Sequence, residues 1–251
     1  MLEAEQEVGQ TSEEDPLDSA LTTFFNVYFG PTAAFKSLAR KPRWLVPMVL
    51  SILVVVASQF LAIERIGSRN LAEKQFGVVE QMGFDIPEEQ RLQMIDSIES
   101  RMNYAPINIV IFMLVGVGII SGLLYVSVMA MGGDVGFYAT FASAVHAMGA
   151  YFVLVSLLSM VILLISPEPA ELDIQNLVAA NPSFLIDARE SPALFTLLNS
   201  LDLTSFYLIF LLAFGLSTVA RGVSMGMGVG IVGLFWVLWV LVKMLPGLIF
   251  S

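Results

Sequence analysis

His146 is the one histidine in this chain of 251 residues, and the chain contains no cysteine. A single histidine excludes a multi-histidine metal site, and the missing thiols exclude a thiolate metal site and a disulfide framework. His146 lies inside a long apolar run, and none of the long apolar runs contains a carboxylate that could relay its proton. We therefore predict an intramembrane polar residue, a neutral imidazole that donates to a helix carbonyl or a serine.

Two short segments share part of a catalytic motif but fail on spacing. Gly118-Ile119-Ile120-Ser121-Gly122 lacks the Gly-x-Ser-Gly setting that a rhomboid-like serine requires. Glu88-Glu89-Gln90-Arg91 has a gap too short for the Glu-Glu-xxx-Arg motif of membrane prenyl-protein proteases, which also need a second histidine. No glycine-rich loop with a lysine is present to hold phosphate. The sequence therefore predicts a protein that is not an enzyme and that binds no cofactor.

Five long apolar runs, almost free of charge, decide the fold class. A helix needs about 20 apolar residues to cross about 30 Å of hydrocarbon. The chain is 57% hydrophobic and 14% charged, so a soluble domain of this composition would expose too much apolar surface. We predict an all-α polytopic membrane protein with about five transmembrane helices. The predicted spans are Trp44–Ile63, Pro106–Gly133, Val135–Ile165, Leu203–Ala220 and Gly222–Val242.

The distribution of charge predicts the orientation of these spans. The formal net charge is −10, and no basic stripe exists that could neutralise nucleic-acid phosphates, so we exclude a nucleic-acid partner. Residues 1–18 carry acidic side chains and no lysine or arginine, which predicts a disordered acidic tail. Arg40-Lys41-Pro42-Arg43 directly precedes the first span, and the positive-inside rule then predicts a cytoplasmic N-terminus. Alternation of the spans places the loops 64–105 and 166–202 and the C-terminus outside.

Between the acidic tail and the first span, residues 19–43 form an apolar segment that Gly30-Pro31 interrupts. Its aromatic side chains recur at helical spacing, which predicts two interfacial helices lying on the cytoplasmic side of the membrane. The side chains expected at headgroup depth are Phe24, Phe25, Tyr28, Arg40, Lys41, Arg43 and Trp44. Residues 44–251 form the five-helix transmembrane domain, in which both outer loops are predicted to be helical.

The two outer loops differ in their helical signals. In the first loop, Leu92, Ile95 and Met102 recur at helical spacing, so one apolar face is expected to pack against the spans. In the second loop, prolines separate two short predicted helices, Leu172–Ala180 and Pro192–Asn199.

Glycines spaced by four residues are the other recurrent pattern. Gly222, Gly226 and Gly230 form two small-xxx-small steps in the last run, and Gly118 and Gly122 repeat the spacing in the second run. Such faces let helix backbones approach closely and gain van der Waals contact within the bilayer. Two interpretations stay open, namely packing inside this chain and docking of another membrane helix.

Several segments, in this order and spacing, resemble the bacterial branch of the Yip family, the Ypt/Rab-interacting proteins. They are Gly30-Pro31-Thr32-Ala33-Ala34-Phe35, Lys41-Pro42-Arg43-Trp44-Leu45-Val46-Pro47, Gly132-Gly133 with Phe137, Asn181-Pro182-Ser183-Phe184-Leu185, Leu197-Leu198-Asn199-Ser200-Leu201-Asp202-Leu203, and Trp236 with Lys243. The resemblance implies a five-helix membrane domain with a cytoplasmic N-terminus, in the inner membrane of a bacterium. It supplies no catalytic residue and no GTPase-binding residue to carry over.

Two functional hypotheses follow from these observations. The first is a non-enzymatic integral membrane scaffold or adaptor that docks partner membrane proteins through its glycine-rich helix faces. The alternative is a protein that translocates lipid or a small solute, or an accessory subunit of an ABC-type exporter. The partners expected are membrane lipids and either another membrane protein or a second copy of the chain.

Overall fold

The computed structural model describes residues 16–81, 86–173, 177–178, 180–187 and 190–249. Within these ranges the chain is helical and contains no β-strand, only one isolated β-bridge. In chain order the helices are α1 (Pro16–Phe29), α2 (Pro31–Arg40), α3 (Leu45–Ile66), α4 (Ser68–Gln81), α5 (Glu88–Arg101), α6 (Ala105–Ala130), α7 (Phe137–Ile165), α8 (Pro192–Ser200), α9 (Leu203–Val219) and α10 (Met225–Ile249). The all-α prediction is confirmed.

Four helical segments in the described part of the chain are long and apolar enough to cross a membrane. They are Leu45–Ile66, Glu88–Ala130, Phe137–Ile165 and Met225–Leu248. A fifth arises if α8 and α9, which meet at a bend of 52°, form one broken span. The prediction of about five spans is confirmed, and the second span is continuous with the helical outer loop that precedes it.

Helix α7 is the centre of the bundle, and α1, α2, α3, α6 and α9 all pack against it. Every residue from 142 to 150 on this helix is buried. Most of these side chains are alanine, serine or glycine, so five neighbouring helices can approach the backbone of α7 closely. The main hydrophobic core forms around this stretch and includes buried side chains of α1, α2, α3, α6, α9 and α10.

Two tight turns meet at one end of the bundle. Asp134, between α6 and α7, and Arg221, between α9 and α10, exchange two backbone hydrogen bonds of 3.1 and 2.8 Å. Gly132 and Gly222 occupy these turns at φ 77° and 78°, in the left-handed region that glycine adopts without strain. The helices α6–α7 and α9–α10 are therefore two hairpins whose tips lie at the same end.

The first outer loop folds into a helical hairpin with a core of its own. Buried side chains of α4 and α5 pack with the outer ends of α3 and α7, and they include Phe76, Ile95 and Leu163. Ile95 and Met102, which the periodicity predicted to face inward, are buried, whereas Leu92 is exposed. Arg69 links the two helices through ion pairs with Asp96 and with Glu99 at 3.4 Å. The carboxylate of Asp96 raises the pKa of Arg69 above its usual value.

The second outer loop is less regular than predicted. The helix α8 (Pro192–Ser200) matches the expected Pro192–Asn199, but the expected helix Leu172–Ala180 is wrong for the described residues there, which form turns. Positions 174–176 and 179 of that segment lie outside the described residues. Two short 3₁₀ turns, Pro169–Glu171 and Pro182–Leu185, follow the prolines instead.

Helices α1 and α2 form a hairpin that stands along α7 instead of lying flat across the end of the bundle. The Phe24 ring lies 6.0 Å from the His146 ring, and the Tyr28 hydroxyl donates to the Ala150 carbonyl at 2.7 Å. From the first contact to the second, the residue number rises by four on both helices, so α1 and α7 run side by side in the same direction. Ala150 lies near the middle of α7, which places the Gly30-Pro31 break about half-way along the bundle.

The chain then returns along α7 to the end from which it came. The Phe35 ring and the Ser143 hydroxyl both border Gly215. Ser143 precedes Ala150 by about two turns of α7, so α2 runs back toward the first residue of α7. Trp44 then donates from Nε1 to the Tyr138 hydroxyl at 2.7 Å, close to the first residue of α7. The predicted break at Gly30-Pro31 is therefore present, but the two helices enter the bundle. The predicted acidic tail, residues 1–18, lies outside the described residues apart from Pro16–Asp18, where α1 begins.

Candidate functional site

The glycine faces predicted from sequence are open in the structure. Apart from its chain neighbours and the backbone of its own helix, a Cβ atom built on Gly118, Gly122 or Gly230 meets no atom within 4 Å, and one on Gly226 meets only the Ser224 hydroxyl at 3.9 Å. Gly118 and Gly122 lie on α6, while Gly226 and Gly230 lie on α10. These four residues therefore pack against no other helix of the described chain and leave two small-residue surfaces free.

Gly222 does not belong to either surface. It was predicted on the last transmembrane helix, but α10 begins at Met225, and Gly222 lies in the preceding turn with φ 78°. Its glycine is required by the left-handed backbone of that turn, not by helix packing. The predicted three-glycine face of the last span is therefore wrong and shortens to Gly226 and Gly230.

Other glycines bring helices of this chain together. A Cβ on Gly228 would lie 2.7 Å from the Ala213 carbonyl oxygen, so α10 touches the backbone of α9 there. A Cβ on Gly149 would lie 2.6 Å from the Ser51 hydroxyl, between α7 and α3. Gly215 packs against Phe35 and Ser143 in the same way. Sequence reasoning missed Gly149 and Gly215 because neither has a glycine four residues away.

His146 is fully buried at the centre of α7. Its Nδ1 lies 2.8 Å from the Ala142 carbonyl oxygen, which assigns the proton to Nδ1 as donor. Its Nε2 is buried and has no hydrogen-bond partner among the described residues. The Phe24 ring covers one side. Within the described ranges, no group of three or more histidine, aspartate or glutamate side chains is placed to hold a metal ion.

The aromatic side chains of α1 divide between the core and the surface. Phe24 is fully buried in the protein core, which contradicts its predicted position at headgroup depth, and Tyr28 is partly buried and bonds to Ala150. Phe25 is half-exposed, and Phe29 is 88% exposed at the tip of the hairpin. Hydropathy does not distinguish these two environments, because a protein core and lipid chains are equally apolar.

The basic cluster lies at the open side of α2. Ala34, Phe35 and Leu38 pack into the bundle, and the opposite face of the helix carries the exposed side chains. A shallow groove of about 250 Å³ is lined there by Ala33, Lys36, Ser37, Arg40 and Lys41. Arg43 follows as a partly exposed side chain next to Trp44. None of these four basic side chains forms an ion pair with a residue that the structure describes.

The family of the chain follows from its match to a family model. The model, described as the Yip1 domain, matches residues 25–248. The chain belongs to the Yip1-domain family. No curated protein and no solved structure matches it. The matched region begins within α1 and ends within α10, so it includes the end of α1 and all of α2 as well as the membrane-spanning helices.

In the Yip1 domain, a buried aspartate organises the loop that precedes α9. Asp202 caps α9 by accepting from the Thr204 amide at 2.7 Å, and it also accepts from the Ala180 amide at 2.7 Å. Asn181 donates to Asn199 at 3.0 Å and to Asp202 at 3.3 Å. The two loop segments that suggested the family resemblance therefore meet in one hydrogen-bond network. Its polar groups satisfy one another, which indicates that the network holds the loop on the bundle.

Proposed function

We propose that this Yip1-domain protein is a membrane scaffold that docks helices of partner membrane proteins against α6 and α10. The observation that supports this proposal is the open state of Gly118 and Gly122 on α6 and of Gly226 and Gly230 on α10. Close helix packing in lipid depends on van der Waals contact, and glycine surfaces allow the nearest approach. The glycines that this fold needs for its own packing, such as Gly149 and Gly228, are different residues.

The surroundings of the open glycines also suit a helical partner. Helix α6 exposes large apolar side chains beside them, including Val115, Ile119 and Leu123. An approaching helix would cover these side chains while its backbone rests on the glycines. Partner binding is then expected to depend on the small size of the four glycines, because any side chain there holds the helices apart.

Capture of partners from native membranes tests the scaffold proposal. Gly122→Leu and Gly226→Leu should remove the co-purifying membrane protein, while insertion and thermal stability persist because both sites are open. Val161→Leu on α7 and Val242→Leu on the side of α10 away from Gly226 and Gly230 are the controls, since both positions are already large, exposed and outside the glycine faces. The proteins and lipids that remain bound in a mild detergent are identified by mass spectrometry. Retained partner binding in correctly folded glycine variants contradicts the docking faces.

Translocation of a lipid or small solute, or service as an accessory subunit of an ABC-type exporter, is the alternative. The unpartnered Nε2 of His146, in a core shared with the buried Ser143, is the observation that favours it. This hypothesis predicts a water-accessible path at His146, Ser143 and Tyr151. Cysteines at these three positions should then react with water-soluble maleimides. If none of the three cysteines reacts, the translocation hypothesis is wrong and the scaffold is favoured.

The proposed setting is the inner membrane of a bacterium, with the N-terminus in the cytoplasm and the C-terminus outside. Support comes from the basic residues that precede α3 at the end of the bundle where the two tight turns meet. The Yip family is non-enzymatic, and we propose the same for this member.

A further inference from the structure

We propose that the groove on α2 binds the phosphate headgroup of an anionic phospholipid. The lining residues recur at positions 33, 36, 37, 40 and 41, which is one face of a helix, and the opposite face is buried in the bundle. The groove therefore points away from the protein. Two lysines and one arginine supply only hydrogen-bond donors, and the Ser37 hydroxyl can donate as well, which suits phosphate oxygens as acceptors.

Charge complementarity favours an anion in this groove. From residue 19 to residue 63 the sequence contains four basic residues and no aspartate or glutamate. At the other end of the molecule, by contrast, Arg69 and Arg91 pair with carboxylates, and Arg65 donates to the Leu163 and Ser166 carbonyls. Lys36, Arg40 and Lys41 have no such partner in the described part of the chain, so their positive charge is available to a ligand.

The depth of the groove favours a lipid over a free anion. Trp44 follows the groove by three residues and donates to Tyr138 at the start of α7, where the apolar surface of the bundle begins. Tryptophan and tyrosine mark the level of the headgroups in membrane proteins. Beyond Trp44, Leu45, Val49 and Leu53 form an exposed apolar row along α3. An acyl chain can lie along this row while its phosphate reaches the groove.

Paired charge variants test the groove in nanodiscs. The full chain is reconstituted in phosphatidylcholine containing a minor fraction of phosphatidylglycerol, and retained lipids are counted by native mass spectrometry. Lys36→Gln/Arg40→Gln should lower phosphatidylglycerol retention about 25-fold, since each basic residue contributes about fivefold. Lys74→Gln/Arg101→Gln removes the same net charge at the other end and should leave retention unchanged.

Two tryptophan variants on α2 distinguish binding in the groove from general attraction between opposite charges. Ala33→Trp fills the groove without changing any charge and should reduce phosphatidylglycerol retention. Ala39→Trp adds the same side chain at an exposed position on α2 that does not line the groove, and it should retain the lipid. Lys36→Arg/Arg40→Lys keeps both charges, so it should bind lipid and shows that the helix tolerates substitution.

Three outcomes would overturn the proposal. Equal losses in the two charge variants mean that diffuse attraction, not the groove, recruits the lipid. Unchanged retention in Ala33→Trp excludes the groove as the binding position. Displacement of the lipid by millimolar inorganic phosphate means that the site holds a free anion.

Discussion

Gly228 and Gly230 lie two residues apart on α10, yet only Gly228 touches a neighbouring helix. A Cβ on Gly228 would approach the Ala213 carbonyl oxygen to 2.7 Å, while a Cβ on Gly230 meets nothing within 4 Å. A backbone carbonyl in the middle of α9 cannot rotate away as a flexible side chain can. The two positions therefore separate glycine used for folding from glycine left free for a partner.

Alanine substitution distinguishes the two roles of glycine. Gly228→Ala should destabilise the protein by about 1–3 kcal/mol, because the methyl group forces α9 and α10 apart. Gly230→Ala should be neutral or stabilise by about 0.5–1 kcal/mol, since alanine favours the helix over glycine. Thermal unfolding in detergent measures both variants. Equal destabilisation by the two changes would mean that the helix contact at Gly228 is not as described.

The Tyr28 hydroxyl makes a long-range hydrogen bond between α1 and α7. It donates to the Ala150 carbonyl at 2.7 Å across 122 residues of sequence. Tyr28→Phe keeps the ring and removes this bond, so we expect a loss of about 1 kcal/mol and faster hydrogen exchange in α1. Tyr151→Phe is the control, because its hydroxyl has no hydrogen bond to the described residues. Unchanged exchange in α1 would show that the bond contributes little to its attachment.

Among the helices, the α1–α2 hairpin differs most from its predicted position. Its aromatic side chains and its basic cluster are those expected of helices lying at a membrane surface. The contacts of Phe24, Tyr28 and Phe35 instead place it along α7, with its tip about half-way along the bundle. We therefore expect Arg40, Lys41 and Arg43, at the end of α2 and just after it, to reach the headgroups while the tip of the hairpin lies in the apolar layer.

Cysteine labelling measures the depth of this hairpin. The chain has no native cysteine, so Phe29→Cys and Lys41→Cys each introduce a single thiol. Phe29 is exposed at the tip and should face lipid, so its cysteine should resist a membrane-impermeant maleimide until the protein is denatured. The cysteine at position 41 should react at once. Comparable labelling of the two thiols would favour helices that lie flat on the membrane.

At the scale of the whole molecule, the two ends of the bundle carry opposite charge. The end with the two tight turns holds Lys36, Arg40, Lys41, Arg43 and Arg221, against Asp134 alone from residue 19 onward. The two loops at the other end carry fourteen acidic and six basic residues. By the positive-inside rule, we expect the end with the two tight turns to lie on the cytoplasmic side.

Labelling from one side of the membrane tests this orientation. Glu168→Cys lies in the acidic loops and should react with an impermeant maleimide in intact cells, because that end is expected outside. Arg221→Cys, at the paired turns, should react only after the cells are permeabilised. Both positions are exposed, so burial does not protect either thiol. The reverse pattern would invert the proposed topology.

Local sequence patterns predicted most helices well, but they did not predict which residues contact one another in the fold. The periodic run around Ile95 gave a helix on which Ile95 is buried as predicted but Leu92 is exposed, and α7 begins and ends within two residues of its predicted bounds. Gly222 was assigned to the wrong element because the four-residue spacing of glycine does not reveal a turn with positive φ. The Asp202 network escaped prediction because Asn181 and Asp202 are brought together only by the fold of the loop.

The sequence by itself determined that this protein is helical, that it crosses a membrane and which family it belongs to. Long apolar runs predict that their side chains are removed from water, and the number and length of the runs are known from the sequence alone. Only the tertiary structure decided which apolar side chains leave water for lipid and which for protein. Phe24 and Phe29 have the same hydropathy, yet one is buried against His146 and the other is exposed. Lipid chains and a protein core solvate a phenyl ring almost equally, so hydropathy cannot assign Phe24 and Phe29 to different environments. The packing of the helices decides which ring is buried in the protein.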